Sequence, residues 1–201
     1  ASILSQSLEN ELLVNNDWQN DATYFYYDHG PLARVEIGEE ELQGVDYIYN
    51  IQGWMKGINS SVLDQANDPG KDGVVGEANE TFAKDVTGFS LQYFTGDYQA
   101  INGTGQNHMA TVNSGSHSAA NSKDLYNGNI RYMQTAITNP TTRDAMPMLN
   151  AYEYDQLNRL VTSRSYEDGL SNNEWNPTSY GNKYFNAFTY DAMGNIETQK
   201  R

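Results

Sequence analysis

One phrase is written twice near the end of the chain, and it restricts the fold more than any bulk property does. "NAYEYDQLNRLVTSRS" starts at Asn150 and "NAFTYDAMGNIETQKR" starts at Asn186, so that Asn150, Ala151, Tyr154 and Asp155 recur as Asn186, Ala187, Tyr190 and Asp191. In the second copy Phe188 and Tyr190 alternate before the aspartate, and Ile196 and Thr198 alternate after it. Alternation at period two describes a strand with one packed face and one wet face. Between the runs, Asp191 suits the first position of a type I turn, where its side chain accepts from backbone N–H groups further on. Gly194, at the fourth position, can take positive φ, which gives a type I turn with a G1 bulge and returns the chain antiparallel. Asn158 holds that place in the first copy, and Asn is the commonest residue other than Gly in the left-handed region. The phrase therefore encodes a β-hairpin.

Further copies lie upstream. "YIYNIQGWMKGIN" has Tyr47 and Tyr49, then Asn50 and Gly53 at the turn. "YFYYDHGPLARVEIG" has Phe25 and Tyr27, then Asp28, with Pro31 where Gly is expected. Proline cannot take positive φ, so Gly30 is read as the third residue of a type II turn. Two degenerate hairpins are read at "LQYFTGDYQAI", around Gly96, and at "LYNGNIRYMQTAI", around Asn127-Gly128. The turn residues Asp28, Asn50, Asn127, Asp155 and Asp191 are separated by 22, 77, 28 and 36 positions. Such irregular gaps mean insertions between repeats. Units of this size cannot bury an apolar face alone and stack against neighbours. The expected fold is all-β, a series of consecutive antiparallel hairpins with long polar loop inserts.

Composition agrees. Aromatics are 12% of the chain, with 15 tyrosines, and the polarity comes more from Asn, Gly, Ser and Thr than from the charged residues of helix surfaces. The polar stretches at about 59–88 and 102–124 are rich in Gly, Asn and Ser and are read as surface loops, where binding concentrates. Residues 1–22 are read as a lead-in segment and 23–201 as the repeat region. Leu4, Leu8 and Leu12 suit a short helix, while Leu12-Leu13-Val14 suits a strand. The opening stretch lacks the basic residues that precede the apolar core of a signal peptide. No run approaches the roughly 20 apolar residues of a membrane span, so membrane insertion is not expected. Both ends read as cut from something longer, since the alternation still runs at Arg201.

The Tyr-x-Tyr-Asp/Asn-x-x-Gly/Asn pattern resembles the YD-repeat of RHS (rearrangement hot spot) proteins of bacteria. The resemblance runs from about Thr23 to Arg201 and rests on Tyr27, Asp28, Tyr49, Asn50, Gly53, Gly96, Asn127, Gly128, Tyr154, Asp155, Asn158, Tyr190, Asp191 and Gly194. It implies that the hairpins join into one long antiparallel sheet that spirals into a hollow shell, as in bacterial toxin complexes, polymorphic toxins and animal teneurins. It also implies a secreted or cell-surface location. The expected partners are the remainder of a longer parent chain and a C-terminal toxin or effector payload held inside. The autoproteolytic core that follows such repeats has no matching motif here.

Chemistry-bearing residues are sparse. There is no cysteine, which removes thiol nucleophiles and Cys-based zinc sites. Twelve basic against twenty-six acidic residues give a net charge of −14, which opposes nucleic-acid binding and favours cationic partners, a basic payload among them. His29 falls in a turn, and His108 and His117 lie among serines without a Gly-x-Ser-x-Gly elbow or an orienting acid. Gly103-Thr104-Gly105 lacks the strand-to-helix setting of a phosphate loop. Glu39, Glu40 and Glu41 are read as a solvated connection, because glycoside hydrolysis needs two carboxyls facing across a gap of about 5–9 Å. Asp64, Asp68 and Asp72 recur every four residues and are candidate calcium ligands, although the EF-hand spacing is missing. Asn59, Asn79 and Asn102 match the glycosylation acceptor pattern, and Trp18, Trp54 and Trp175 permit stacking on sugars.

The leading expectation is thus structural: a shell segment, with no enzymatic activity and no cofactor. The alternatives are an adhesin-like module that binds glycans or a surface protein through the two inserts, and a glycosidase with two facing carboxylates.

Overall fold

The computed structural model describes residues 2–6, 18–100, 108–112, 123–177 and 184–201. Its strands in chain order are β1 (Ser2–Gln6), β2 (Trp18–Tyr26), β3 (Leu32–Ile37), β4 (Gln43–Tyr49), β5 (Met55–Ile58), β6 (Thr87–Gln92), β7 (Thr111–Val112), β8 (Tyr132–Thr138), β9 (Ala145–Tyr154), β10 (Leu160–Tyr166), β11 (Leu170–Ser171), β12 (Glu174–Trp175), β13 (Asn186–Tyr190) and β14 (Ile196–Lys200). One 11-stranded sheet takes β1 to β6, then β8, β9, β10, β13 and β14, side by side in chain order. All its pairings are antiparallel. The fold is therefore all-β and made of consecutive hairpins. Because strand direction alternates, the turns β2–β3, β4–β5, β9–β10 and β13–β14 fall along one rim, together with the β6–β8 connection. The connections β3–β4, β5–β6, β8–β9 and β10–β13 fall on the opposite rim.

Three expectations need correction. Gly96 and Asn127-Gly128 do not close two hairpins. β6 pairs directly with β8, so the two turns stand in opposite arms of one long excursion, 93–131. The arms touch through the Phe94 and Tyr126 rings, 4.7 Å apart, and through hydrogen bonds from Thr95 N to Asp124 Oδ1 at 3.0 Å and from Leu125 N to Tyr93 O at 2.9 Å. The physical reason is that an Asn-Gly pair fixes a local reversal without dictating which strand its arms join. Second, the lead-in is part of the sheet. β2 runs through the 22/23 boundary, and Leu4 sits in a strand, paired with Asn20, while Leu8 and Leu12 lie outside the described residues.

Third, the insert at 59–88 is no solvated surface loop. It ends in β6, and before that its Asn59, Ser60, Ser61, Asp68, Asp72 and Phe82 are buried. It lies on one face of the sheet. In β4 that face carries Gly44, Asp46 and Ile48, each buried and separated by half-buried residues. Gly88 on β6 permits the approach: a Cβ there would collide with the carbonyl oxygen of Ser60.

The apolar core lies on the same face further along. Val62 from the insert and Ala110 join Tyr132, Leu149, Ala151, Tyr166 and Trp175. A small sheet of β11, β12 and β7 forms the lid over it, with β12 and β7 parallel. Full burial of a side chain such as Leu149 is worth about 1.5–3 kcal/mol. Gln134 of β8 fastens this cover to the sheet. Its Nε2 donates to Ala110 O at 2.6 Å, and its Oε1 accepts from Ala110 N at 3.1 Å and Ser61 Oγ at 3.0 Å.

Candidate functional site

The turns of the repeat rim share one frame. The first residue donates its N–H to the carbonyl of the fifth, and the fourth donates to the carbonyl of the first. Asp191 and Asn195 do so at 3.0 Å, with Gly194 to Asp191 at 3.1 Å. Asp155 with Arg159 and Asn158, and Asn50 with Trp54 and Gly53, repeat the pattern. The fourth residue has positive φ each time: 80° at Gly53, 62° at Asn158 and 89° at Gly194. The first side chain completes the turn. Asp191 Oδ1 accepts from Met193 N and Asn195 N at 2.9 and 2.8 Å, and Asp155 Oδ1 accepts from Leu157 N and Arg159 N, both at 2.9 Å. Hydrogen bonds from Asn195 hold the Asp191 carboxyl below its ordinary value, and those from Arg159 do the same for Asp155.

The turn at Pro31 uses this frame one residue earlier than expected. Tyr27 N donates to Pro31 O at 2.9 Å and Gly30 N to Tyr27 O at 2.8 Å, with Gly30 at φ 111°. Tyr27, not Asp28, opens the turn, and Gly30 is its fourth residue, not its third. Proline has no N–H with which to close a turn opened by Asp28, so the frame steps back. His29 at this turn is exposed and stacks on Tyr27.

The tyrosines of the phrase tie one hairpin to the next. Tyr190 Oη donates to Leu160 O at 2.6 Å, Tyr154 Oη to Ile130 O at 3.0 Å, and Tyr93 Oη to Met55 O at 2.9 Å. Each acceptor lies two residues beyond the positive-φ residue of the preceding turn: Asn158, Gly128 and Gly53. The Arg159 guanidinium lies over the Tyr190 ring, 4.5 Å from its centroid. Asn127 Nδ2 also bonds Asn158 Oδ1 at 2.6 Å.

A second constellation lies under the insert, and its charges are buried. Arg34 of β3 stands opposite Asp46 of β4 on the covered face. Its Nη1 donates to Asp46 Oδ2 at 2.5 Å, its Nη2 to Asp72 Oδ1 at 2.6 Å and its Nε to Glu36 Oε1 at 3.0 Å, while Phe82 caps the guanidinium at 4.8 Å. Asp68 joins them: ligand oxygens of Asp46, Asp68 and Asp72 lie within 4.8 Å of one another. Asp85 reaches Asp68 from the strand β6 side and accepts from Asn59 Nδ2 at 2.7 Å and Gln43 Nε2 at 3.2 Å. Burial raises the Asp46 carboxyl to about 7 against the pull of Arg34, and raises Asp72 as well. Burial and then the neighbouring Asp68 push Asp85 up to about 9. Burial pulls the Arg34 guanidinium down, but Asp72 and Asp46 outweigh it and leave it above its ordinary value.

This corrects the expected acidic trio. Asp64 is exposed and caps the short turn at Gln65–Asn67, accepting from Ala66 N at 3.1 Å and Asn67 Nδ2 at 2.6 Å. Asp46, from a strand eighteen or more residues away, takes its place. Spacing along the chain found Asp68 and Asp72, but Asp46, Asp85 and Arg34 come from sheet register and carried no local signal. Another buried pair was equally silent. Lys56 of β5 is 0% exposed and donates to both oxygens of Asp97 at 2.7 Å. Burial lowers the Lys56 ammonium against the pull of Asp97.

The remaining sites form no catalytic arrangement among the described residues. His108 is buried against Tyr98, ring centroids 4.8 Å apart, and burial followed by Lys56 lowers it to about 3. His117, Gly103-Thr104-Gly105 and Asn102 lie outside the described residues. Glu39, Glu40 and Glu41 are exposed between β3 and β4. Asn59 is buried, and Asn79 Nδ2 bonds Gly70 O at 2.6 Å, so neither presents a free acceptor amide. Trp175 is buried in the core and Trp54 packs on Tyr93, while the side chain of Trp18 lies outside what is described. The carboxylates under the insert touch one another and are bridged by Arg34, a geometry that suits a shared proton or cation better than a sugar ring. Compared with known proteins, the chain matches no family model and no curated protein.

Proposed function

We propose that this chain is a section of the wall of an RHS/YD-type β-shell, acting by enclosure and not by catalysis. The observation that carries the reading is the strand order. Hairpin follows hairpin in strict chain sequence across the sheet, and tyrosines from one turn bond the strand leaving the turn before it. Such a design adds units without limit, because each new hairpin needs only its neighbour. It also leaves β1 and β14 as the outermost strands, and an outermost strand offers unpaired N–H and C=O groups to a further strand. In a longer parent chain, further hairpins take those edges and the curved sheet surrounds a payload. The acidic surface suits a basic one.

The adhesin alternative rested on two inserts; 102–124 lies mostly outside the described residues, and 59–88 gives it less support. Phe82, its one aromatic ring, is buried over Arg34 and cannot meet a glycan.

Limited proteolysis of the parent chain, read by mass spectrometry, tests enclosure. A protected C-terminal fragment that co-elutes with these repeats is the expected result. A tail digested as fast as an unfolded peptide would overturn enclosure and return attention to binding at the rim.

A further inference from the structure

The carboxylates beneath the insert are short of donors. Each of three spends one oxygen on a protein hydrogen bond and leaves the other buried without one. Asp68 Oδ2 accepts from Asp72 N at 3.1 Å, and its Oδ1 has no N–H or hydroxyl donor, the Asp85 carboxyl being the other side chain that reaches Asp68. Asp72 Oδ1 takes Arg34, and its Oδ2 has none. Asp85 Oδ1 takes Asn59 and Gln43, and its Oδ2 has none. Asp68 and Asp72 are only 5% and 2% exposed, and their donor-free oxygens have almost no contact with bulk solvent. A buried acceptor left without a donor is costly, and a buried charge left without a partner costs more. One guanidinium faces Glu36, Asp46 and Asp72 and cannot also serve Asp68 and Asp85.

The site is built, not incidental. Gly44 and Gly70 face it, and a Cβ on either would collide with the Arg34 guanidinium and with Asp72 or Asp46. Asp68, Asp72 and Asp85 also line a cavity of about 320 Å³, which gives room for coordinated water and a route from solvent. Lys84 and Arg143 line the same cavity, but Lys84 Nζ is held by Gln65 Oε1 at 3.1 Å.

The geometry points to a calcium site formed by Asp68, Asp72 and Asp85 from the insert and Asp46 from the sheet, with the ion taking the donor-free oxygens and Arg34 keeping its own. The ligands are all oxygen and come largely from an irregular loop, which suits the larger and less exacting calcium ion. Magnesium demands a near-ideal octahedron and gives up its water reluctantly. Nitrogen and sulfur ligands, which would favour zinc or copper, are absent from the group. A bound ion would clamp residues 59–86 onto the sheet face. That makes the insert a calcium-fastened cover on the wall.

The test is calorimetric titration of the EDTA-treated chain with CaCl₂ and with MgCl₂ in physiological KCl, paired with thermal melts. One Ca²⁺ per chain is expected, with a raised melting temperature and magnesium weaker by roughly tenfold or more. Asp68→Asn should abolish the calcium response yet leave the metal-free melting temperature equal or higher, since it relieves like-charge crowding. Asp85→Asn should behave in the same way. Asp64→Asn, at a carboxylate lining the same cavity but engaged by Ala66 and Asn67, should keep full binding. Absence of saturable CaCl₂ binding to the wild-type chain overturns the site, as does a calcium response that survives in Asp68→Asn and Asp85→Asn.

Discussion

The hairpin at 186–200 and the insert at 59–86 are written in the same small alphabet of Asp, Asn, Gly and Thr, yet they treat an aspartate in opposite ways. Asp191 sits in an exposed turn with two backbone N–H groups and the Asn195 amide pointing at it, and its carboxyl is held below the ordinary value. Asp72 is buried with one oxygen bound by Arg34 and the other without a donor, and its carboxyl is raised. The difference teaches what each region is for. A turn is complete within five residues and needs nothing from elsewhere. The insert is incomplete without Arg34 and Asp46 from the sheet, so it can lie only where they are.

Breaking the second region at its single shared cation should have the largest effect. Arg34→Met leaves Asp46 and Asp72 buried without a counter-charge, and loss of one partner of such a group costs about 3–5 kcal/mol. A urea melt in EDTA should show a large fall in midpoint, and a midpoint close to wild type would mean that the cluster is not charged as described. Gly88→Ala attacks the same contact from the backbone side. Its methyl meets Ser60 O, and the insert must lift, at a cost of about 1–3 kcal/mol. Thermal melts should rank it below Arg34→Met, and hydrogen exchange should place the loosening in 59–86.

Acidity should separate the regions without any mutation. Asp46 and Asp85, raised to about 7 and about 9, stay protonated in the folded chain where the unfolded chain has ionised. They favour folding fully below the unfolded value of 3.8, and that contribution is lost as pH rises through 7 and 9. Asp155 and Asp191 have the opposite sign. Their contribution is present above 3.8 and disappears as pH falls through their lowered folded values. Exchange protection factors in metal-free protein should therefore fail first in 59–86 on the alkaline side and first at the turns on the acid side. Failure of both regions together on the same side would contradict the contrast.

The smallest effect is expected at the rim. Tyr190→Phe removes only the hydroxyl bond to Leu160 O, worth about 0.5–1.5 kcal/mol. Its consequence should be confined to the joint between β10 and β13, seen as faster exchange there with the rest of the sheet unchanged.

These contrasts also explain what the sequence made legible. The turn frame is local, so Asp155, Asn158, Asp191 and Gly194 could be placed from the residues alone. The one slip, at Tyr27, came from treating Pro31 as a substitute for glycine when its missing N–H shifts the whole frame. Gly96 and Asn127-Gly128 signalled reversals truly, with φ of 74° and 87°, but the pairing of β6 with β8 is decided by strands on either side. Arg34, Asp46 and Asp85 are brought to Asp68 and Asp72 by sheet register and by one glycine-floored approach, and no spacing rule within the chain announces those three. Asp64 shows the converse: it has the right spacing and the wrong place.

A cryo-EM reconstruction of the parent chain bears most directly on the wall. Enclosure requires β14 to pair with a following strand and β1 to meet a neighbour, so that the hairpin order runs on unbroken and the sheet curves around density inside. A reconstruction with β14 bare to solvent and no enclosed density would contradict it.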